Sequence, residues 1–557
     1  MSPAPISRRQ LLGYGVGVSA GVAAAGAASR ALPAGAATPS RTRRPRATQL
    51  ELPQPLPQKS QGGVLAVQLE AKRATVDMGA PKMVDTYTFN GVVPGYTWDL
   101  NAGDQLQVDL INHLAPAIPA PKDMTMDRPH QWTNTNLHTH GLHVSPSDNS
   151  DNVFLDIAPG DTQHYQIDIP ADHTGGTMWY HPHRHGAVTQ QVRAGMAGML
   201  IVRGDIDQVP EIAAAKEQVL VMQSIELGND YQLLDPIPDP SKTEAFFPRT
   251  NVLYTVNGTL TPKVTMYPGE VQRWRLLNAA EGKYLSLRLE KHPWNAIAYD
   301  GLTLGAPEVV EDLMLSAGNR CDVLVKAGAP GTYNLVLTPG SSQKPRIPGM
   351  PPSASAQDVV HAPLPAKMSP QAMAAMIPTN SAPDMTVLRG ELDARTILTV
   401  EVKGSGPAMG LPTGLPAYNP PMPPISRTRE FAFTVQRDAS NEFISFGVDG
   451  IPFDPNNKPY QVPLGTAEEW TLVNAHDAKL MDHAHVFHIH VNPFKLIKIN
   501  GRPVSGPMWR DTFVLTKTTG DSLTFQIDFS DFKGKFVEHC HVLGHEDLGM
   551  MQSIEVI

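Results

Sequence analysis

Only two cysteines occur among the 557 residues, Cys321 and Cys540. That excludes the disulfide framework that staples small extracellular domains. Past residue 37 no stretch approaches eighteen consecutive apolar positions, so no membrane partner is expected for the mature chain, which should be soluble. Positive charge is in deficit: 45 Lys and Arg against 54 Asp and Glu leave a net charge of −9, which argues against nucleic acid as a partner. Long apolar heptads are scarce too, whereas Pro (52) and Gly (45) are plentiful. The combination favours many short strands joined by turns, an all-β chain.

The N-terminal segment is set apart by composition. Ser7-Arg8-Arg9-Gln10-Leu11-Leu12-Gly13, followed by a weakly apolar Gly/Ala run to Ala37, reads as a twin-arginine signal peptide over 1–37, with Ala34-Gly35-Ala36 as its cleavage site. That route carries proteins already folded, to the periplasm, cell envelope or exterior. Residues 38–61, rich in Arg, Pro and Gln, are expected to be an unpacked linker.

One pattern then occurs three times: a turn dipeptide, a Gly, and nine residues later an Asn that closes an alternating strand. The copies are Asn90-Gly91 with Gly103 and Asn112, Asn257-Gly258 with Gly269 and Asn278, and Asp449-Gly450 with Gly465 and Asn474. Three Greek-key β-sandwich units follow, over 62–207, 208–340 and 425–557. Between them 341–424 is expected to be a long surface connection, in part helical near Pro370 to Ile377. It carries Met350, Met368, Met373, Met376, Met385, Met409 and Met422, thioethers suited to cuprous ion or simply to filling gaps. Cys321 lies in a strand pattern and reads as a small buried hydrophobe.

The chemistry concentrates near the C-terminus, in Glu538-His539-Cys540-His541-Val542-Leu543-Gly544-His545-Glu546-Asp547-Leu548-Gly549-Met550. Side chains alternate along a strand, so His539 and His541 share one face and Cys540 takes the other. Beside Cys540, the imidazole of His545 and the thioether of Met550 are donors that suit a blue-copper electron-transfer centre, which needs one more imidazole. His138-Thr139-His140, His181-Pro182-His183 and His488-Ile489-His490 each contain an H-x-H pair; His185 extends the second to H-x-H-x-H, and the W-Y-H-P-H context favours His181 with His183. With His539 and His541 these four pairs are enough to hold three coppers. His485 has the opposite parity from His488 and His490, so it faces the Cys540 side and can supply the missing ring.

On these motifs the chain, from about Gly62 to Ile557, resembles the three-domain multicopper oxidases, closest in pattern to bacterial laccases, cuprous oxidases and bilirubin oxidases. The resemblance implies three cupredoxin-like domains and four copper ions. His485, Cys540 and His545 would bind the type 1 copper, with Met550 as weak axial ligand. His138 and His488 would bind the type 2 copper. His140, His181, His183, His490, His539 and His541 would bind the type 3 pair. Val486 and Val491 stand where the family usually has Pro and Gly. The middle unit has no ligand motif and reads as a spacer that holds the outer two in register, so the three-copper cluster must lie between those two.

The expected activity is one-electron oxidation of a small reducing substrate, a phenol or aromatic amine, coupled to four-electron reduction of dioxygen to water. A metal-ion oxidase acting on cuprous or manganous ion is the alternative. From other classes come a copper-free structural protein of the same fold and a nitrite reductase, which lacks the four paired motifs. Water formation consumes protons, and Glu546 and Asp151, with Asp148 competing for the latter role, are the candidate relays. His185, His143, His173 and His483 are expected to be surface or supporting residues, and Met481 and Asp482 to border the donor pocket. Oligomeric state is not legible in the sequence.

Overall fold

The computed structural model describes residues 49–119, 126–234, 251–338, 395–437, 443–475, 484–515 and 519–557. The signal predicted over 1–37 and the helix expected near Pro370 to Ile377 lie outside them. So do His483, Met481, Asp482 and every methionine of the 341–424 stretch except Met409 and Met422.

Strand Gln105–Asn112 illustrates how sequence pattern becomes structure. Leu106, Val108 and Leu110 are buried, while Gln107 and Asp109 face solvent. Among the described residues such strands form six sheets that face each other in three pairs. The first pair is built from strands between Pro57 and Arg203, the middle pair from strands between Lys216 and Val402, and the third from strands between Ile425 and Val556. Each pair encloses its own apolar core, centred respectively on Trp98, on Trp274 with Trp294, and on Trp470. The fold is therefore all-β, three sandwiches of the expected cupredoxin-like kind.

The threefold repeat has a physical basis. Asn90, Asn257 and Asp449 have φ of 55°, 49° and 53°, and the following Gly91, Gly258 and Gly450 have 77°, 67° and 77°. Two successive positive φ values are what a tight hairpin turn needs, and Asn or Asp followed by Gly supplies them at least cost. After each turn the same parallel pairing recurs: Val64–Val76 with Gln105–Asn112, Lys216–Leu227 with Val271–Asn278, and Ile425–Arg437 with Thr466–Ala475.

Three expectations are corrected. Residues 49–61 are not an unpacked linker: Leu52 enters the middle core, and Pro57–Lys59 pairs in parallel with Thr97–Asp99. Proline is tolerated there because the strand lies at a sheet edge. The connection expected over 341–424 contains strand Arg395–Val402, which pairs with Lys263–Met266 and Gly331–Leu337 and so completes the middle sandwich. Strand Val271–Asn278 is buried on both faces rather than one, because its outward side meets the first sandwich instead of water.

Arg273 and Arg275 lie on that covered side and would be prohibitively costly without partners. Asp322 accepts from Arg273 Nη2 (2.5 Å), Arg275 Nη1 (3.0 Å) and, across the border, Thr177 Oγ1 (2.5 Å). Asp207 and Glu217 complete the cage. Removing one member strands the others. Asp322→Ala should therefore cost on the order of 3–5 kcal/mol, read as a lower thermal unfolding midpoint, whereas Asp109→Ala, in an exposed pair with His164, should leave the midpoint unchanged.

Candidate metal centre

Two strand pairs set the candidate ligands by register. In the first sandwich His138 sits opposite His181 and His140 opposite Trp179. In the third, His488 sits opposite His539 and Phe487 opposite Cys540. The two ligand-bearing edges then meet. The ring of His138 stacks on that of His490 and the ring of His140 on that of His488, each at 3.7 Å and 8°. Eight imidazoles thus converge between the outer sandwiches, all essentially without solvent contact.

They sort into smaller groups. Donor atoms of His140, His181 and His541 lie within 4.8 Å of one another, as do those of His183, His490 and His539. His138 and His488 form an overlapping group with His140. On the opposite face of the 539–541 segment, Cys540 Sγ lies 3.6 Å from both His485 Nδ1 and His545 Nδ1, which are 3.2 Å apart. Met550 is fully buried beside them, its carbonyl accepting from Cys540 N–H and its N–H donating to the His545 carbonyl.

The hydrogen bonds reveal which nitrogen of each ring is reserved for a cation. His138 donates through Nδ1 to Asp151 (2.9 Å), His488 through Nδ1 to the Asp511 carbonyl (2.8 Å), and His181 through Nδ1 to the Pro182 carbonyl (2.8 Å). In all three, Nε2 is buried with no hydrogen-bond partner among the described residues. His140 is turned the other way: Nε2 bonds Thr512 Oγ1 (3.1 Å) and Nδ1 is left over. The Nε2 atoms of His183, His490 and His539 stand 3.1, 3.1 and 3.3 Å apart. Imidazole–metal bonds of about 2.0–2.1 Å in a tetrahedral array place nitrogens about 3.3 Å apart. The residues present therefore fit metal ions.

Electrostatics agree. Burial, reinforced by neighbouring rings, holds His140, His181, His488, His490 and His541 well below the usual imidazole range and brings His183 and His539 down to about 3. The rings are neutral, with lone pairs available, as ligation requires. Burial pushes the Cys540 thiol up to about 12, so its thiolate form calls for a cation beside it.

Two carboxylates support the rings from behind. Glu546 Oε2 is 3.0 Å from His539 Nδ1 and its Oε1 is 3.5 Å from His183 Nδ1. Burial raises Glu546 to about 7. Asp151 is also buried, but His138 and the Thr139 N–H outweigh that burial and hold its carboxyl below the ordinary range. Asp148 is exposed. Such outer partners fix the tautomer and orientation of a ligating ring.

Other histidines stand apart. His185 bonds the Met126 carbonyl, and His143 bonds the Val491 carbonyl and Asp531 and receives support from His173. Cys321 is buried in strand Arg320–Lys326, far in sequence from any ligand and in the middle core. Met409 fills a gap, its sulfur accepting from Val271 N–H and Tyr267 Oη. Val491 keeps a φ of 67°, the conformation that suits Gly, at a cost on the order of 1–3 kcal/mol for a β-branched residue.

Sequence reasoning missed the residues through which the middle sandwich and the strands beside the site support the rings. Arg320 grips Asp511 (2.9 Å), whose carboxylate lies 3.4 Å from His140 Nε2. Asn319 donates to the Thr512 carbonyl, and a Cβ at Gly318 would meet the ring of His541 at 3.0 Å. Phe446 stacks on His545 at 4.1 Å. No spacing rule finds such residues, because each acts through a contact distant in sequence.

Three family models, each described as multicopper oxidase, match residues 130–206, 224–354 and 423–557, together more than half of the chain. Among curated relatives, multicopper oxidase mco of Staphylococcus aureus is 21% identical over 502 residues, covering 90% of each chain. A laccase of Haloferax volcanii is 24% identical, covering 83% of this chain and 76% of its own. Among solved structures, a multicopper oxidase from Campylobacter jejuni described as a metallo-oxidase has a TM-score of 0.65 at 23% identity, covering 92% of this chain and 98% of its own.

The lowered His183 and His539 bind protons more weakly in the folded metal-free chain than in the unfolded one. Their contribution is full above about 6.5 and is lost progressively as the pH falls towards about 3. Glu546, raised from 4.5, acts in the opposite sense: its contribution is full below about 4.5 and is lost as the pH rises through about 7. In metal-free protein, Glu546→Gln should thus gain stability relative to wild type as the pH climbs from 6 to 8, measured by thermal unfolding at each pH; a difference independent of pH would refute it.

Proposed function

The chain belongs to the multicopper oxidase family, and from that premise we propose that it couples one-electron oxidation of phenolic or aromatic-amine donors to the four-electron reduction of dioxygen to water. The observation that carries this reading is that the segment 539–541 places Cys540 in one side-chain group and His539 and His541 in the eight-imidazole group behind it. Copper bound at these donors supplies the one-electron redox steps and the site for dioxygen. We assign His485, Cys540 and His545, with Met550 as weak axial donor, to the type 1 ion. His138 and His488 take the type 2 ion, and His140, His181 and His541 with His183, His490 and His539 take the type 3 pair.

The protein groups then have distinct tasks. Cys540 is joined through its own backbone to His539 and His541, a short covalent route from the donor side to the dioxygen side. Glu546 carries a proton on its carboxyl near neutral pH, beside His183 and His539, and is the relay for the protons that water formation consumes. Asp151, rather than exposed Asp148, serves the cluster, accepting from His138 Nδ1 so that Nε2 faces the metal. Export by the twin-arginine route is part of the same proposal, since Arg8 and Arg9 head the chain's one apolar leader. Replacement of both by Lys, followed by cell fractionation, tests it.

A second reading, oxidation of cuprous or manganous ion, is favoured by the Campylobacter structure, which is described as a metallo-oxidase. Steady-state rates on a phenol and on cuprous ion separate the two. The laccase-like reading requires phenol turnover without added metal.

Glu546→Gln should retain copper and the blue absorption but slow dioxygen reduction by roughly 10²–10⁴-fold, with reduction of the Cys540 centre unchanged in stopped-flow traces. Met550→Leu should raise the potential of that centre, because a weak sulfur donor stabilises the oxidised ion; redox titration showing an unchanged or lowered potential counts against the axial role.

A further inference from the structure

The loop that carries His545 begins a short helix, Leu543–Asp547, whose N-cap position is Val542, a residue with no side-chain acceptor. The first N–H groups of a helix have no partner within it and must find acceptors elsewhere. Here both acceptors come from one residue of the middle sandwich. The Glu281 carbonyl accepts from Leu543 N–H at 3.0 Å, and Glu281 Oε1 accepts from Gly544 N–H at 3.1 Å.

The segment bearing Glu281 is itself built to stay in place. Asn278 ends strand Val271–Asn278, and its Nδ2 donates to the carbonyls of Lys283 (2.7 Å) and Leu315 (3.0 Å) while its Oδ1 accepts from Ala280 N–H. Close approach depends on two residues without side chains: a Cβ at Gly282 would lie 3.0 Å from Val542 Cγ1, and one at Gly544 would lie 3.2 Å from Glu281 Oε1. Residue 544 precedes His545, whose own N–H closes the turn on the Val542 carbonyl.

We propose that Glu281 is a positioning residue for the Cys540 centre: it caps the His545 turn from the neighbouring sandwich, fixing that ring, and its carboxylate lowers the centre's reduction potential by favouring the more positive oxidised ion. This rests on the assignment of a copper ion to His485, Cys540 and His545. The middle sandwich, with no candidate ligand among its described residues, is in this account a working part of the donor-side centre.

Glu281→Gln keeps an acceptor oxygen and removes the charge, whereas Glu281→Ala removes both. In copper-loaded full-length protein, redox titration should show a higher potential in both variants. The blue absorption and the copper hyperfine splitting in electron paramagnetic resonance should stay at wild-type values in Glu281→Gln and shift in Glu281→Ala. Wild-type potential in both variants overturns the proposal. If Glu281→Ala does not fold, Glu281→Gln decides by its potential alone. A wild-type protein that binds copper without any blue absorption overturns the Cys540 assignment itself, a result distinct from any difference between the variants.

Discussion

Eight imidazoles, buried and aimed at common centres, are the constraint on which the rest of this molecule depends. Each ring costs free energy to desolvate, and several with unpartnered nitrogens at contact distance cost more. What compensates is a cation, and a cation can be shared only if strands far apart in sequence are delivered to one place. His138 and His490 are separated by most of the chain, yet their rings stack at 3.7 Å. The three-sandwich architecture is the device that makes this possible.

The middle sandwich follows from the same constraint. Two outer sandwiches joined only by a rim of metal ligands would leave ring positions to the ligands themselves. Arg320, Asn319, Gly318 and Glu281 instead reach from the middle copy to Asp511, Thr512, His541 and the His545 turn. The buried Arg273, Arg275 and Asp322 cage in turn locks that copy to the first sandwich. Register is thus passed from one outer sandwich to the other through a unit with no candidate ligand among its described residues.

The convergence of the histidines was legible in the sequence because strand parity is local: H-x-H and H-C-H fix which side chains share a face whatever the remainder of the chain does. The turn dipeptides were legible for a similar reason, since Asn-Gly and Asp-Gly report a positive φ directly. Residues 49–61 and strand Arg395–Val402 were not, because Pro-rich edges and isolated strands owe their pairing to distant partners. Nor was the double burial of Val271–Asn278, whose alternating pattern conceals that its charged side chains face another sandwich rather than water. Asp511 and Glu281 belong with these: ordinary acids in sequence, made significant by what folds against them. Asp151 and Asp148 stood even in the sequence, and it is the backbone path that buries the one beside His138 and leaves the other in solvent.

The pairing of His485–Ile489 with Gly534–Cys540 has an all-or-none character. Because side chains alternate with a period of two, a shift of one residue between these strands would exchange their faces, turning sulfur towards the space meant for nitrogen. A misaligned pair would not weaken the two side-chain clusters but abolish both.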